Sequence, residues 1–123
     1  MDLKRGDNRT IYVNVSASIA PEGSTMYFMA KPQPDDDMGD TNAVISVNST
    51  ERVVVHTDKG DYARFTINLA PTDTNHIEFG DKKVISLYSE FEVRTLDGKV
   101  YSLPGSNKYI RTKVYADVRR GGA

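Results

Sequence analysis

An all-β fold is predicted, with two antiparallel sheets of about seven strands packed face to face and one short helical turn near residues 72–77. Three observations predict it. Apolar and polar residues alternate with period two along most of the chain, the mark of a half-buried strand. No window sustains apolar residues at i, i+3, i+4 and i+7, so no long helix is available to cover a parallel sheet. Glycine, proline and aspartate punctuate the alternation at short intervals, as turns do. A partly open barrel is the competing architecture.

The chain has 123 residues, room for one domain that buries roughly two-thirds of its unfolded surface. The expected organisation is a single sandwich over residues 1–123, with a short N-terminal arm at 1–9 and a C-terminal tail at 119–123. Hydrophobic residues are 38% and charged residues 27% of the total, ordinary for a folded domain and unlike a disordered or fibrous chain. Sixteen basic against seventeen acidic residues leave a net charge of −1, so no overall field favours nucleic acid or an anionic membrane. Cysteine is absent, which excludes disulfides, thiolate metal sites and thiol nucleophiles. The charged start at Met1-Asp2-Leu3-Lys4-Arg5-Gly6 leads into no long apolar run, so neither a signal peptide nor a membrane span is expected.

The first strand is expected over Thr10–Val15, with Ile11, Val13 and Val15 on one face and Tyr12 and Asn14 on the other. Pro21-Glu22-Gly23 turns the chain. Ser24–Lys31 follows with Met26, Phe28 and Ala30 on one face and Tyr27 and Met29 on the other. Two apolar faces predict a central strand, or an outer face covered by a neighbour. Prolines and clustered carboxylates make 31–40 a loop. Short strands are expected at Ala43–Val47 and Arg52–Thr57, and Asp58-Lys59-Gly60-Asp61 turns into Tyr62–Leu69. At 70–77 the alternation breaks, and Thr72 or Asp73 is the expected cap of a helical turn. Val84–Thr95 and Val100–Leu103 form a hairpin through Leu96-Asp97-Gly98-Lys99, the strongest turn signal in the chain. The last strand, Tyr109–Val118, places Ile110, Thr112, Val114, Ala116 and Val118 inward and Arg111, Lys113 and Tyr115 outward, in the same sheet as that hairpin.

A nucleophilic triad requires a nucleophile beside an oriented base. His56 and His76 are the available imidazoles. One ends a strand at a turn and the other lies in the polar crossover, so both read as solvated or locally bonded histidines, and no enzymatic activity is expected. The glycines are isolated turn residues, and none opens a helix after a strand as a phosphate loop does. The acidic run containing Asp35, Asp37 and Asp40 is the best metal candidate, because hard cations take clustered oxygens. It lacks the spacing and terminal glutamate of an EF-hand, so a solvated loop is the preferred reading and no cofactor or metal is expected. Tyr27 and Met29 on the apolar outer face, Tyr115 on the last strand and the basic Arg119-Arg120 pair are the candidate protein-contact residues. Aromatic faces at Tyr12, Tyr27, Tyr88, Tyr101, Tyr109 and Tyr115 keep open an alternative, a carbohydrate-binding or adhesin-type module.

The segments Leu69-Ala70-Pro71-Thr72-Asp73-Thr74, Phe91 to Val100 with its Leu96-Asp97-Gly98-Lys99 hairpin, and Tyr109-Ile110-Arg111-Thr112-Lys113-Val114 resemble the small Ig-like β domains of tailed-phage baseplate and tail proteins. The opening Arg5-Gly6-Asp7-Asn8-Arg9-Thr10-Ile11 and the later Met26-Tyr27-Phe28-Met29-Ala30-Lys31 are similar to the first two strands of the upper-baseplate N-terminal domain family. The resemblance implies an Ig-like sandwich that serves as a non-enzymatic structural subunit of a virion, made in the bacterial host cytoplasm. Its implied partners are other virion structural proteins and symmetric copies of itself. Two departures, extra residues within Gly80 to Tyr88 and Asn107-Lys108-Tyr109 in place of a glycine-led last strand, leave open a position in baseplate, tail, neck or capsid surface.

Overall fold

The alternating segments pair into ladders in a computed structural model that describes residues 1–33, 43–104 and 109–117. Among the described residues nine strands and one helical turn follow in order: β1 (Asp2–Lys4), β2 (Arg9–Ser16), β3 (Thr25–Lys31), β4 (Ile45–Ser49), β5 (Arg52–Thr57), β6 (Gly60–Leu69), α1 (Pro71–Thr74), β7 (Val84–Arg94), β8 (Val100–Leu103) and β9 (Ile110–Tyr115). The chain is an all-β sandwich of a six-stranded and a three-stranded sheet.

The spine of the larger sheet is β7. One of its edges pairs antiparallel with β3, Thr25 opposite Arg94 through Lys31 opposite Tyr88, and β3 in turn pairs with β4. Along its other edge Val84–Ser89 pair with β9 and Phe91–Arg94 pair with β8, so β8 and β9 lie end to end on one strand. Beyond β9 lies β1 in a parallel pair, the exception to the antiparallel expectation. The smaller sheet runs β2-β6-β5, all antiparallel.

Each strand sends its apolar row inward, as the pleat requires. Met26, Phe28 and Ala30, then Leu87, Phe91 and Val93, then Val114, face Val15, Ala63, Phe65, Ile67 and Leu69. Phe28 and Phe91 pack with ring centroids 5.0 Å apart at a tilt of 39°. Each such side chain contributes about 1.5–3 kcal/mol relative to leaving it in water. Two of the buried polar side chains satisfy each other across the sheet: the Ser89 hydroxyl donates to Thr112 Oγ1 at 2.7 Å inside the core.

Several boundaries differ from expectation. The strand expected over 43–47 forms as β4 at Ile45–Ser49, because its end is set by backbone pairing with β3 out to Met26 opposite Ser49 rather than by its apolar residues. Neither Thr72 nor Asp73 occupies the N-cap. The turn starts one residue earlier, with Ala70 at the cap and Pro71 in the first helical position, where a fixed φ and missing N–H cost nothing. Asp73 instead reaches back, its carboxylate accepting from the Ala70 N–H at 2.7 Å. The helical turn therefore spans 71–74 rather than 72–77. Within the expected N-terminal arm, Asp2–Lys4 are a strand with Leu3 buried. The Arg5 guanidinium then donates to the Ile77 carbonyl at 2.9 Å, and the Gly6 N–H donates to Thr74 Oγ1 at 2.8 Å.

Candidate interaction surfaces

The outer face of the six-stranded sheet carries Tyr27, Met29 and Tyr115, three of the residues singled out as contacts, each positioned by strand alternation. Tyr27 stands opposite Glu92 and lies half-buried beneath the Arg94 guanidinium, 4.1 Å from its ring centroid. Arg94 also pairs with the Glu92 carboxylate. A second cluster sits one strand over. Arg111 covers the Tyr88 ring at 4.6 Å and donates to its hydroxyl at 3.1 Å, and Tyr109 meets Tyr88 edge to face at 4.7 Å. These contacts hold planar groups in fixed orientation on an exposed sheet, as protein interfaces favour.

Met29 is only 1% exposed, so its side chain offers almost no surface. Tyr115 is exposed across the ladder from exposed Val84, at the edge of this face. Arg119, Arg120 and the acidic candidates Asp35, Asp37 and Asp40 lie outside the described residues. Among the described residues no group of three or more His, Asp or Glu side chains could hold a metal ion. No helix there is long and apolar enough to cross a membrane.

His56 and His76 are far apart in role. His56 Nδ1 pairs with Asp61 at 2.8 Å on the open tip of the β5–β6 hairpin. The neighbouring Thr57 hydroxyl is committed to the Gly60 carbonyl at 2.7 Å. His76 Nε2 donates to the Val44 carbonyl at 2.6 Å, tying the crossover to the start of β4.

Two clefts open at the sandwich margins. One, of about 460 Å³, combines charged residues of both signs, Asp2, Lys4, Asp7 and Arg9, with apolar walls that include Leu3 and Leu69. The other, about 480 Å³, is a slot whose walls include Ile11, Val13 and Val15 of β2 and Phe91, Leu103 and Ile110 of the larger sheet. It runs beside the edge of β2 that no described strand pairs with, β2 being the end strand of its sheet among the described residues. The Ala17 N–H donates to the Asp61 carbonyl, and the register is unbroken from there. Odd-numbered residues of β2 therefore bond β6, while Thr10, Tyr12, Asn14 and Ser16 aim their N–H groups outward. The inward row of β2 is legible in its alternation, but its edge position and the Leu103 and Ile110 wall depend on strand order, which no local signal reports.

Comparison with known protein families matches none of them, and no curated protein matches the chain significantly.

Proposed function

We propose that the chain is a non-enzymatic structural subunit of a tailed-phage virion, in its baseplate, tail, neck or capsid surface, acting through protein–protein assembly. The observation that carries this reading is the resemblance in sequence. Its motif residues fall in order on the end of β6, on α1, on the β7–β8 hairpin and on β9. Support comes also from the surfaces. A β edge free among the described residues, an apolar slot and two guanidinium–aromatic clusters suit contact with other chains, and symmetric copies would multiply modest contacts.

The test is to label the chain with gold in purified particles and to measure its stoichiometry against the major tail protein. Fixed stoichiometry and label at one recurring place on the particle are the expected outcome. Absence from intact particles overturns the proposal.

One observation favours the carbohydrate-binding reading as an alternative. Tyr12, 65% exposed, and Tyr62 lie on the outer face of the three-stranded sheet, beside Arg64 held by Asn14 at 2.9 Å. Planar exposed rings next to amide and guanidinium donors suit sugar stacking. Binding on a glycan array that a Tyr12→Ala change abolishes would favour it over assembly.

A further inference from the structure

We propose that the slot beside β2 receives one extended peptide segment from a neighbouring protein, which adds as a fourth strand to the three-stranded sheet. The proposal deepens the assembly reading and rests on it for the source of the segment.

The backbone supplies the first argument. From Thr10 to Ser16 the free edge of β2 presents outward N–H groups at alternate residues and outward carbonyls at Thr10, Tyr12 and Asn14; the Ser16 carbonyl is already taken by the Ile19 N–H. Among the described residues that is an unpaired ladder about 20 Å long at a rise of about 3.3 Å per residue. Three devices that ordinarily blunt an edge are missing from its sequence and register. No proline, no bulge and no charged side chain occurs between Thr10 and Ser16.

Charge and shape define the occupant. Every residue lining the slot has an uncharged side chain, and the lining includes Ile11, Val13, Ile19, Leu103 and Ile110. The one charge beside it, the Met1 ammonium, is already bonded to the Arg111 carbonyl at 2.9 Å, so a charged side chain placed in the slot would lose water for little return. An added strand directs every second side chain into the slot, so the fitting segment is uncharged with branched apolar residues at alternate positions. A volume of about 480 Å³ lies within the range of pockets that bury a ligand.

The width argues for a single strand rather than a second copy of the sheet. Leu103 of β8 and Ile110 of β9 face the slot from the larger sheet, which therefore extends beneath the space next to β2. Antiparallel pairing of two β2 edges about a two-fold axis would place both overhanging sheets on the same side, where they collide. A lone strand brings no second layer.

The test uses the purified full chain and a fluorescein-labelled, end-capped seven-residue peptide alternating valine and threonine, with a control peptide carrying aspartate in place of each valine. Fluorescence anisotropy should show saturable binding of the first peptide, weakened at least tenfold for the control. Hydrogen exchange with the peptide present should slow at Thr10, Tyr12, Asn14 and Ser16 and stay unchanged at the odd positions already bonded to β6. The Tyr12→Pro variant removes an outward donor and no bond to β6, and edge strands tolerate proline there, so it should bind at least tenfold more weakly.

Absence of saturable binding up to about 1 mM overturns the proposal, and so does binding without new protection at the even amides. Protection of those amides that rises with the chain's own concentration and without peptide assigns the edge to a second copy, and equally overturns it. None of these results depends on whether the chain is found in a particle, so the assembly reading stands or falls separately.

Discussion

Glycine at position 23 is set by two constraints that act together. Its φ is +91°, in the region where a Cβ is strained, and an added Cβ would lie 2.4 Å from Leu96 Cδ1. Gly98 shares nearly the same backbone angle, +89°, with open space around it. Gly98→Ala should therefore show the backbone penalty alone, about 1 kcal/mol. Leu96 is 83% exposed and can turn aside, so Gly23→Ala should cost more by only about 0.5 kcal/mol, and that excess should vanish when Leu96 is also changed to alanine. Urea denaturation of these three variants and of Leu96→Ala alone checks this, and equal losses at both glycines would remove the Leu96 contact from the account. The same turn holds a titratable group. The Thr95 hydroxyl donates to the Asp97 carboxylate, and Lys99 adds a weaker attraction through its ammonium and backbone N–H, so Asp97 ionises below the usual carboxylate range. A depressed folded value means that the stabilisation is present above the ordinary value near about 3.9 and is lost as pH falls through the folded one. Asp97→Asn should thus be less stable than the parent at neutral pH, with the gap closing in acid. A carbon-detected NMR titration giving a midpoint for Asp97 at or above the ordinary value would contradict this.

At the scale of elements, β7 carries the larger sheet, because β3 runs along one of its edges and β8 and β9 share the other. The Ser89–Thr112 hydrogen bond ties β7 to β9 in the core, where a lone hydroxyl is costly. Removing one partner should cost about 1–3 kcal/mol. In a double-mutant cycle, Thr112→Val and Ser89→Ala should each destabilise, while the double variant loses less than the sum of the two. Additivity in chemical denaturation would show that the hydroxyls act independently. This was also the scale at which the sequence was most readable. Period-two alternation located β2, β3, β5, β6, β7, β8 and β9 to within a few residues, since each has a clear inward row. It missed β1, whose three residues carry a single apolar side chain, Leu3. It placed α1 late because Asp73 looks like a cap while acting from the third helical position. Ile77 and Phe79 went unread as core because they are buried outside any strand, with Phe79 packed 4.7 Å from the Arg5 guanidinium.

For the whole molecule, alternation says which side of a strand is wet but not which strands are neighbours. Hence the sandwich was legible, while the open seam beside β2 and the burial of Met29 were not. The two sheets share one core: Phe28 of the larger and Phe65 of the smaller are both fully buried in the same apolar cluster. A chain of this length has a total stability of about 6–18 kcal/mol, and truncating either phenylalanine should remove about 3–5 kcal/mol of it. Because neither sheet has an apolar layer of its own to fall back on, the loss should appear everywhere at once. In native-state hydrogen exchange, Phe28→Ala should lower the opening free energy of the most protected amides in β6 by the same amount as those in β7, although the substitution lies in the other sheet from β6. Phe65→Ala should do likewise in the opposite direction. If instead Phe28→Ala weakened β7 and left β6 unchanged, the sheets would be separate cooperative units. The single transition expected of a domain of this size would then not hold.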